Sequence, residues 1–132
     1  MNSTEADPGA VRPGAKTRGL TRLLKAFANT AQGLAGCWRE EEAFRQECLF
    51  AAVVVPAGIW FGANGVERAL LTAPMLLILI VELLNSAIET AIDRIGTERN
   101  PLSGLAKDLG SAAVFVSFVL LGGTWALILL GR

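Results

Sequence analysis

A stripe of polar side chains interrupts the most apolar part of this sequence. The uncharged run ALLTAPMLLILIV ends at Val81, and Glu82, Asn85, Glu89 and Asp93 then follow at helical spacing. At 100° per residue these side chains lie on one face of a helix. Carboxylates inside a membrane are costly and usually mark a functional site. With only Arg94 nearby, the stripe predicts a site that needs counter-charge from something bound.

Two other segments carry groups that could complete this site. REEEAFRQE supplies Glu41 and Glu47 ahead of an apolar block, and PLSGLAKDLGSAA supplies Lys107, Asp108 and Ser111. The alternative for the acidic run is a solvated helix start, where acids complement the helix dipole. A lysine beside a helix N-terminus can hold an anion such as phosphate.

These groups are the ones that phosphoryl transfer uses. Mg²⁺ prefers oxygen ligands and commonly bridges one or two carboxylates to substrate phosphates, while a lysine balances phosphate charge. Neither GxxxxGK[ST] nor GxGxxG occurs in the sequence, so neither common nucleotide-binding loop is available. The residues alone therefore predict a membrane protein with a metal and anion site.

Three long apolar blocks must position these side chains. They predict transmembrane helices at about residues 43–62, 69–95 and 105–130, because about twenty apolar residues cross a bilayer as a helix. Ser103 is the expected N-cap of the third helix. The predicted fold is thus an all-α membrane protein.

The residues before the first span divide into a helix and a tail. Apolar residues at spacings of three, four and seven between residues 17 and 38 predict an amphipathic helix on the membrane surface. An ordinary helix packing on a partner is the alternative. Residues 1–16 are small and polar with two prolines, which predicts a disordered tail.

Composition and charge restrict the remaining choices. The 132 residues are 52% apolar with zero net charge, so bulk charge gives no reason to expect a nucleic acid partner. Cys37 and Cys48 form no CxxC motif, which predicts a reduced structural role.

Ten of the twelve Lys and Arg residues lie before or early in the first span or around the loop between spans two and three. This asymmetry predicts a cytoplasmic N-terminus and an outer C-terminus.

Three segments closely resemble the prokaryotic diacylglycerol kinase family: EAFRQE at 42–47, VELLNSAIETAIDRIG at 81–96 and LSGLAKDLGSAA at 102–113. The resemblance runs from about residue 20 to residue 130. It implies a homotrimer in the bacterial inner membrane, with a surface helix and three spans per chain. It also implies transfer of the γ-phosphate of MgATP to the primary hydroxyl of diacylglycerol, giving phosphatidic acid, at active sites shared between protomers.

The resemblance implies roles for individual residues as well. Glu82 matches the catalytic general base, and Glu41 and Glu89 match the carboxylates that bind Mg²⁺. The nucleotide-binding positions are matched by Arg22, Asn29, Glu41, Glu89, Glu98, Lys107 and Asp108. The lipid-binding positions are matched by Arg22, Glu47, Glu82 and Ser111, and Asn85 and Asp93 support the same polar site. The sequence departs from the family at Asn29, where an aromatic is familiar, and at Pro101, in a loop that is usually more polar.

Other functions compete with this interpretation. A kinase of the same family that acts on undecaprenol would use the same carboxylates. A small ion or proton transporter is a more remote alternative, because intramembrane carboxylates also line ion paths. A transporter predicts acids near mid-membrane with access from both sides, whereas residues 69–81 carry no charge. A purely structural membrane scaffold held by polar contacts is a further alternative, but it does not explain why carboxylates form the stripe.

Overall fold

The computed structural model describes residues 19–96 and 98–131, which form four helices joined by short connections. The helices are α1 (Gly19–Glu40), α2 (Glu42–Phe61), α3 (Gly65–Ile95) and α4 (Pro101–Leu130). No strand occurs in these two ranges, so the predicted all-helical fold is confirmed. The predicted disordered tail at residues 1–16 lies outside the described residues.

The chain divides into two compact units, one ending at Gly33 and the other beginning at Leu34. The described part of the first unit consists of the early turns of α1. Four apolar side chains at helical spacing are more than half exposed on it: Leu20, Leu23, Leu24 and Phe27. Here α1 therefore has the exposed apolar face that the sequence spacing predicts.

Helices α2, α3 and α4 are each long and apolar enough to cross a membrane. With 31 residues, α3 is about 46 Å long, whereas the hydrocarbon core of a bilayer is about 30 Å thick. One end of α3 therefore extends beyond the hydrocarbon. The C-terminal turns after Glu82 suit that position, because they carry the polar stripe.

The second unit is organised around α3, which packs against both α2 and α4. Met75 and Ile78 of α3 are completely buried. They pack with Ala51 and Val54 of α2 and with Leu121 of α4. This apolar cluster fixes the relative positions of the three helices, on which the polar groups further along α3 depend.

Helix α4 begins earlier than predicted, and with a different cap. The Asn100 Oδ1 accepts hydrogen bonds from the N–H groups of Leu102, at 2.8 Å, and Ser103, at 3.4 Å. Pro101 follows as the first helical residue, where its missing N–H leaves no hydrogen bond unmade. The prediction that Ser103 caps this helix is therefore wrong, because Asn100 caps it.

Candidate active site

The buried face of α3 changes from apolar to polar at Glu82. Ile78, Glu82 and Ser86 follow one another at intervals of four residues and therefore share one face. Only 4% of Glu82 and 8% of Ser86 are exposed. The face that forms the apolar core thus continues into a polar site, with the Glu82 carboxylate enclosed by the second unit.

Four carboxylates from α3, from α2 and from the residue that caps α2 interact at this level. The charge on Glu82 interacts with those on Glu41 and Glu89 and with the charge on Glu47. Glu47 is as enclosed as Glu82, whereas Glu41 and Glu89 are half-buried. A solvated helix start therefore does not account for the acidic run before α2, although Glu42 is exposed as that alternative expects.

Two acceptor atoms in this group are buried without a hydrogen-bond partner among the described residues. They are the Oε2 of Glu47 and the Oδ1 of Asn85. The amide nitrogen of Asn85 donates to Glu89 Oε1 at 3.3 Å. Because buried polar atoms are normally paired, these two orphaned acceptors suit a site that is completed by hydrogen-bond donors or a cation from a ligand.

The junction between α1 and α2 positions Glu41. The Nη1 of Arg45 donates to the carbonyl oxygens of Trp38, at 2.9 Å, and Arg39, at 3.1 Å. Carbonyls in the last turn of a helix have no partner within that helix. By binding two of them from the first turn of α2, Arg45 fixes the angle at which the chain passes through Glu41.

A thiol ties the same junction to α3. The Cys37 thiol donates a hydrogen bond to the Ser86 hydroxyl, with 3.7 Å between Sγ and Oγ. Burial and the neighbouring charge of Glu41 raise the pKa of the Cys37 thiol. Cys37 and Cys48 are both free, which agrees with the structural role predicted from the sequence.

A second polar group lies at the C-terminal end of the stripe. The Lys107 Nζ is 2.7 Å from Asp93 Oδ1, and both side chains are partly exposed. Helix α4 thus brings Lys107, one of the groups that the sequence offered to complete the site, to Asp93. The pair lines a cavity of about 480 Å³ together with Glu98 and Ser103.

The structure brings most, but not all, of the predicted residues together. One group is Glu41, Glu47, Glu82, Asn85 and Glu89, and the other is Asp93, Glu98 and Lys107. Asp108 and Ser111 are exposed on α4. Arg22 and Asn29 are exposed on α1 within the first unit.

Sequence reasoning assigned no role in the site to Cys37, Ser86 or Gly110. Ser86 follows Glu82 by one helical turn, so its position on the same face was visible in the spacing. The contributions of Cys37 and Gly110 depend on contacts between helices, and no local pattern signals them. Gly110 is buried on α4 against the side chain of Asn85.

Comparison with known proteins gives consistent matches. Residues 28–129 match the family model described as prokaryotic diacylglycerol kinase. The chain is 50% identical over 113 residues to a diacylglycerol kinase from Pseudomonas aeruginosa, covering 86% of this chain and 92% of that protein. It is 46% identical over 114 residues to one from Haemophilus influenzae, covering 86% and 97%. It is 43% identical over 113 residues to one from Escherichia coli K12, covering 86% and 93%. The family resemblance read from the sequence motifs is confirmed.

Proposed function

Because the chain belongs to the prokaryotic diacylglycerol kinase family, we propose that it transfers the γ-phosphate of ATP to the primary hydroxyl of diacylglycerol. The product is phosphatidic acid. The acyl chains need no pocket of their own, because the bilayer solvates them. This explains how a chain of 132 residues with only helices in its described ranges can act on a large lipid.

The observation that carries this proposal is the enclosed carboxylate of Glu82. It lies within a helix that is apolar enough to span a membrane and is only 4% exposed. A buried ionisable group that no described cation pairs with is a poor structural element. Beside a lipid hydroxyl, the same group is a suitable general base.

Glu82 acts on the hydroxyl of the lipid. Its carboxylate accepts a hydrogen bond from that hydroxyl and aligns the oxygen with the γ-phosphorus. The bond from this oxygen to phosphorus forms, the bond from phosphorus to the β–γ bridging oxygen of ATP breaks, and the hydroxyl proton passes to Glu82. Because such transfers pass through a loose transition state, alignment contributes more than early proton removal.

Glu41 and Glu89 are the residues that would hold Mg²⁺. The fit is chemical, since both are half-buried carboxylates whose charges interact with that of Glu82. Among residues 19–96 and 98–131, no three acidic or thiol side chains form a complete metal cage. Mg²⁺ usually takes only one or two carboxylates and completes its shell with water and phosphate. When bound, the ion supplies positive charge beside the phosphates.

Lys107 and its cavity are the proposed nucleotide site. Glu98 lines the same cavity, and Asp108, which follows Lys107 in the sequence, is exposed on α4. The charge on Lys107 also interacts with that on Glu89. Nucleotide phosphates held by Lys107 would therefore extend toward the carboxylates, with Arg22 and Asn29 of α1 proposed as further contacts.

Glu47 and Ser111 are the proposed contacts for the lipid headgroup. Glu47 lines a cavity of about 410 Å³ with Phe50 of α2 and Phe118 of α4. Its orphaned Oε2 can accept a hydrogen bond from a glycerol hydroxyl. Aromatic rings beside a carboxylate suit a ligand that has both a polar head and apolar chains.

We further propose a homotrimer in the inner membrane, with the carboxylates on the cytoplasmic side. The asymmetry of Lys and Arg supports this orientation, and ATP is available on that side. Sealed vesicles check the sidedness: ATP added to inside-out vesicles supports turnover, and ATP added to right-side-out vesicles does not. Turnover from outside in right-side-out vesicles would reverse the orientation.

The test of the proposed reaction is a phosphorylation assay in mixed micelles with labelled ATP, with and without Mg²⁺. Diacylglycerol and undecaprenol are offered in separate reactions. We expect Mg²⁺-dependent labelling of diacylglycerol. Labelling of undecaprenol alone would assign the chain to the alternative substrate, and labelling of neither lipid would contradict a lipid kinase.

Two variants separate the proposed roles of the carboxylates in the same assay. Glu82→Gln should lower kcat by about 10²- to 10⁴-fold with little change in the ATP KM, as loss of a general base does. Glu89→Gln should abolish Mg²⁺-dependent turnover. Glu42→Gln, an exposed carboxylate in the first turn of α2, is the matched control and should behave like the parent. Equal effects of Glu82→Gln on kcat and KM would move Glu82 from the reaction to binding.

A further inference from the structure

Helices α3 and α4 approach each other closely at Gly110. This glycine is buried, and a Cβ placed on it would overlap the Oδ1 of Asn85. The amide oxygen of Asn85 thus occupies the space that any other residue at this position would fill. Close approach between membrane helices commonly depends on such small residues.

The approach determines which way the Asn85 amide faces. With its oxygen against Gly110, the amide presents its nitrogen to Glu89, where it donates to Oε1 at 3.3 Å. The oxygen is buried and accepts no hydrogen bond from the described residues. The planar amide of Asn85 therefore couples the two interactions: its oxygen contacts Gly110 and its nitrogen donates to Glu89.

We propose that Gly110 is a positioning residue, which fixes the Asn85 amide and through it the orientation of the Glu89 carboxylate. This inference rests on the proposed function, in which Glu89 holds the metal ion. A carboxylate that binds a metal needs its orientation set by a neighbouring hydrogen bond. Gly110 contacts neither metal nor substrate and acts only through Asn85.

Gly58 differs from Gly110 in what an added Cβ would meet, and it illustrates a glycine that serves packing alone. A Cβ on Gly58 would lie 2.9 Å from Thr72 Cγ2 and 3.2 Å from the backbone carbonyl carbon of Leu71. Backbone cannot rotate away, so alanine at this position must move a helix. At Gly110 the overlapping atom is the end of a rotatable side chain. Alanine there leaves the helices in place and turns the Asn85 amide away from Glu89.

The test measures Mn²⁺ binding by electron paramagnetic resonance on the purified full-length protein, with a non-hydrolysable ATP analogue present. Gly110→Ala should weaken Mn²⁺ binding about 10- to 100-fold, as loss of a partner of a metal ligand does, while the unfolding temperature stays near that of the parent. Gly123→Ala is the matched control on α4, since a Cβ there meets nothing within 4 Å. It should bind Mn²⁺ like the parent.

A double-mutant cycle shows whether Gly110 acts through Asn85. Asn85→Ala should weaken binding as much as Gly110→Ala, and the double variant should be no weaker than either single variant. Additive losses would overturn the inference. If Gly110→Ala alone does not fold, the double variant, which lacks the overlap, must fold and bind like Asn85→Ala. Its failure to fold would make Gly110 a packing residue and overturn the inference.

Glu89→Gln separates failure of this inference from failure of the metal assignment. If Glu89→Gln loses Mn²⁺ and Gly110→Ala keeps the parent affinity, the inference alone is wrong. If Glu89→Gln binds Mn²⁺ as tightly as the parent, the proposed metal role of Glu89 is wrong, and the role of Gly110 falls with it.

Discussion

At the scale of single residues, the ion pair between Asp93 and Lys107 bears directly on nucleotide binding. The Lys107 ammonium is proposed to hold phosphate, yet 2.7 Å away it faces a carboxylate in the same chain. Asp93 keeps the lysine at the cavity while no nucleotide is bound. When a nucleotide binds, the same negative charge repels its phosphates. Asp93 therefore positions Lys107 but lowers the affinity for ATP.

Replacing Asp93 with asparagine separates these two effects. We expect Asp93→Asn to lower the ATP KM by about 2- to 5-fold, because a negative charge a few ångströms from the phosphates is removed. The change should shrink at high salt, since both side chains are partly exposed. KM values at two salt concentrations check this, with Asp93→Glu as the charge-conserving control. A raised KM would show that Asp93 serves mainly to position Lys107.

At the scale of helices, the sequence predicted what lies within one helix and missed what lies between two. The spacing of Glu82, Asn85 and Glu89 placed them on one face of α3, because helical periodicity is a local property. The pairing of Asp93 with Lys107 depends on the register of α3 against α4, which is set by packing around Ile78 and cannot be read from either segment. The cap of α4 was missed because Ser103 and Asn100 are both good N-caps, and Pro101 decides between them.

The half of the second unit that lies away from the carboxylates is held by a contact between α3 and α4. Pro74 interrupts the hydrogen bonding of α3, and the Trp125 indole N–H donates to the carbonyl of Leu71, in the preceding turn, at 2.9 Å. Neighbouring helices often satisfy backbone groups near a proline in a membrane helix. This hydrogen bond therefore links α4 to the turn of α3 that precedes Pro74.

Trp125→Phe tests that anchor, because phenylalanine keeps an aromatic ring against Phe61 but has no N–H to donate. The free energy of unfolding in detergent should fall by about 1 kcal/mol. Trp60→Phe is the matched control, since Trp60 is 84% exposed, and it should change the stability little. Equal losses from the two variants would mean that the indole hydrogen bond contributes nothing specific.

At the scale of the whole molecule, the candidate site residues are distributed over the two units of the chain. The second unit of one chain gathers the acidic group around Glu82 and the pair of Asp93 with Lys107. The remaining residues matched to the nucleotide site, Arg22 and Asn29, belong to the first unit. If sites are shared in a trimer, these residues of α1 are the ones that a neighbouring chain can supply.

Mixing inactive variants tests this division. Glu82→Gln and Lys107→Met should not restore each other's activity when equal amounts are unfolded and reassembled together, because one chain must supply both groups. Glu82→Gln mixed with Arg22→Ala should recover up to about a quarter of the parent activity, since random assembly of a symmetric oligomer gives that share of sites both intact parts. Each variant reassembled alone is the control. Recovery by the first mixture would place Lys107 and Glu82 of one site on different chains. No recovery by the second would assign Arg22 to the same chain as the carboxylates.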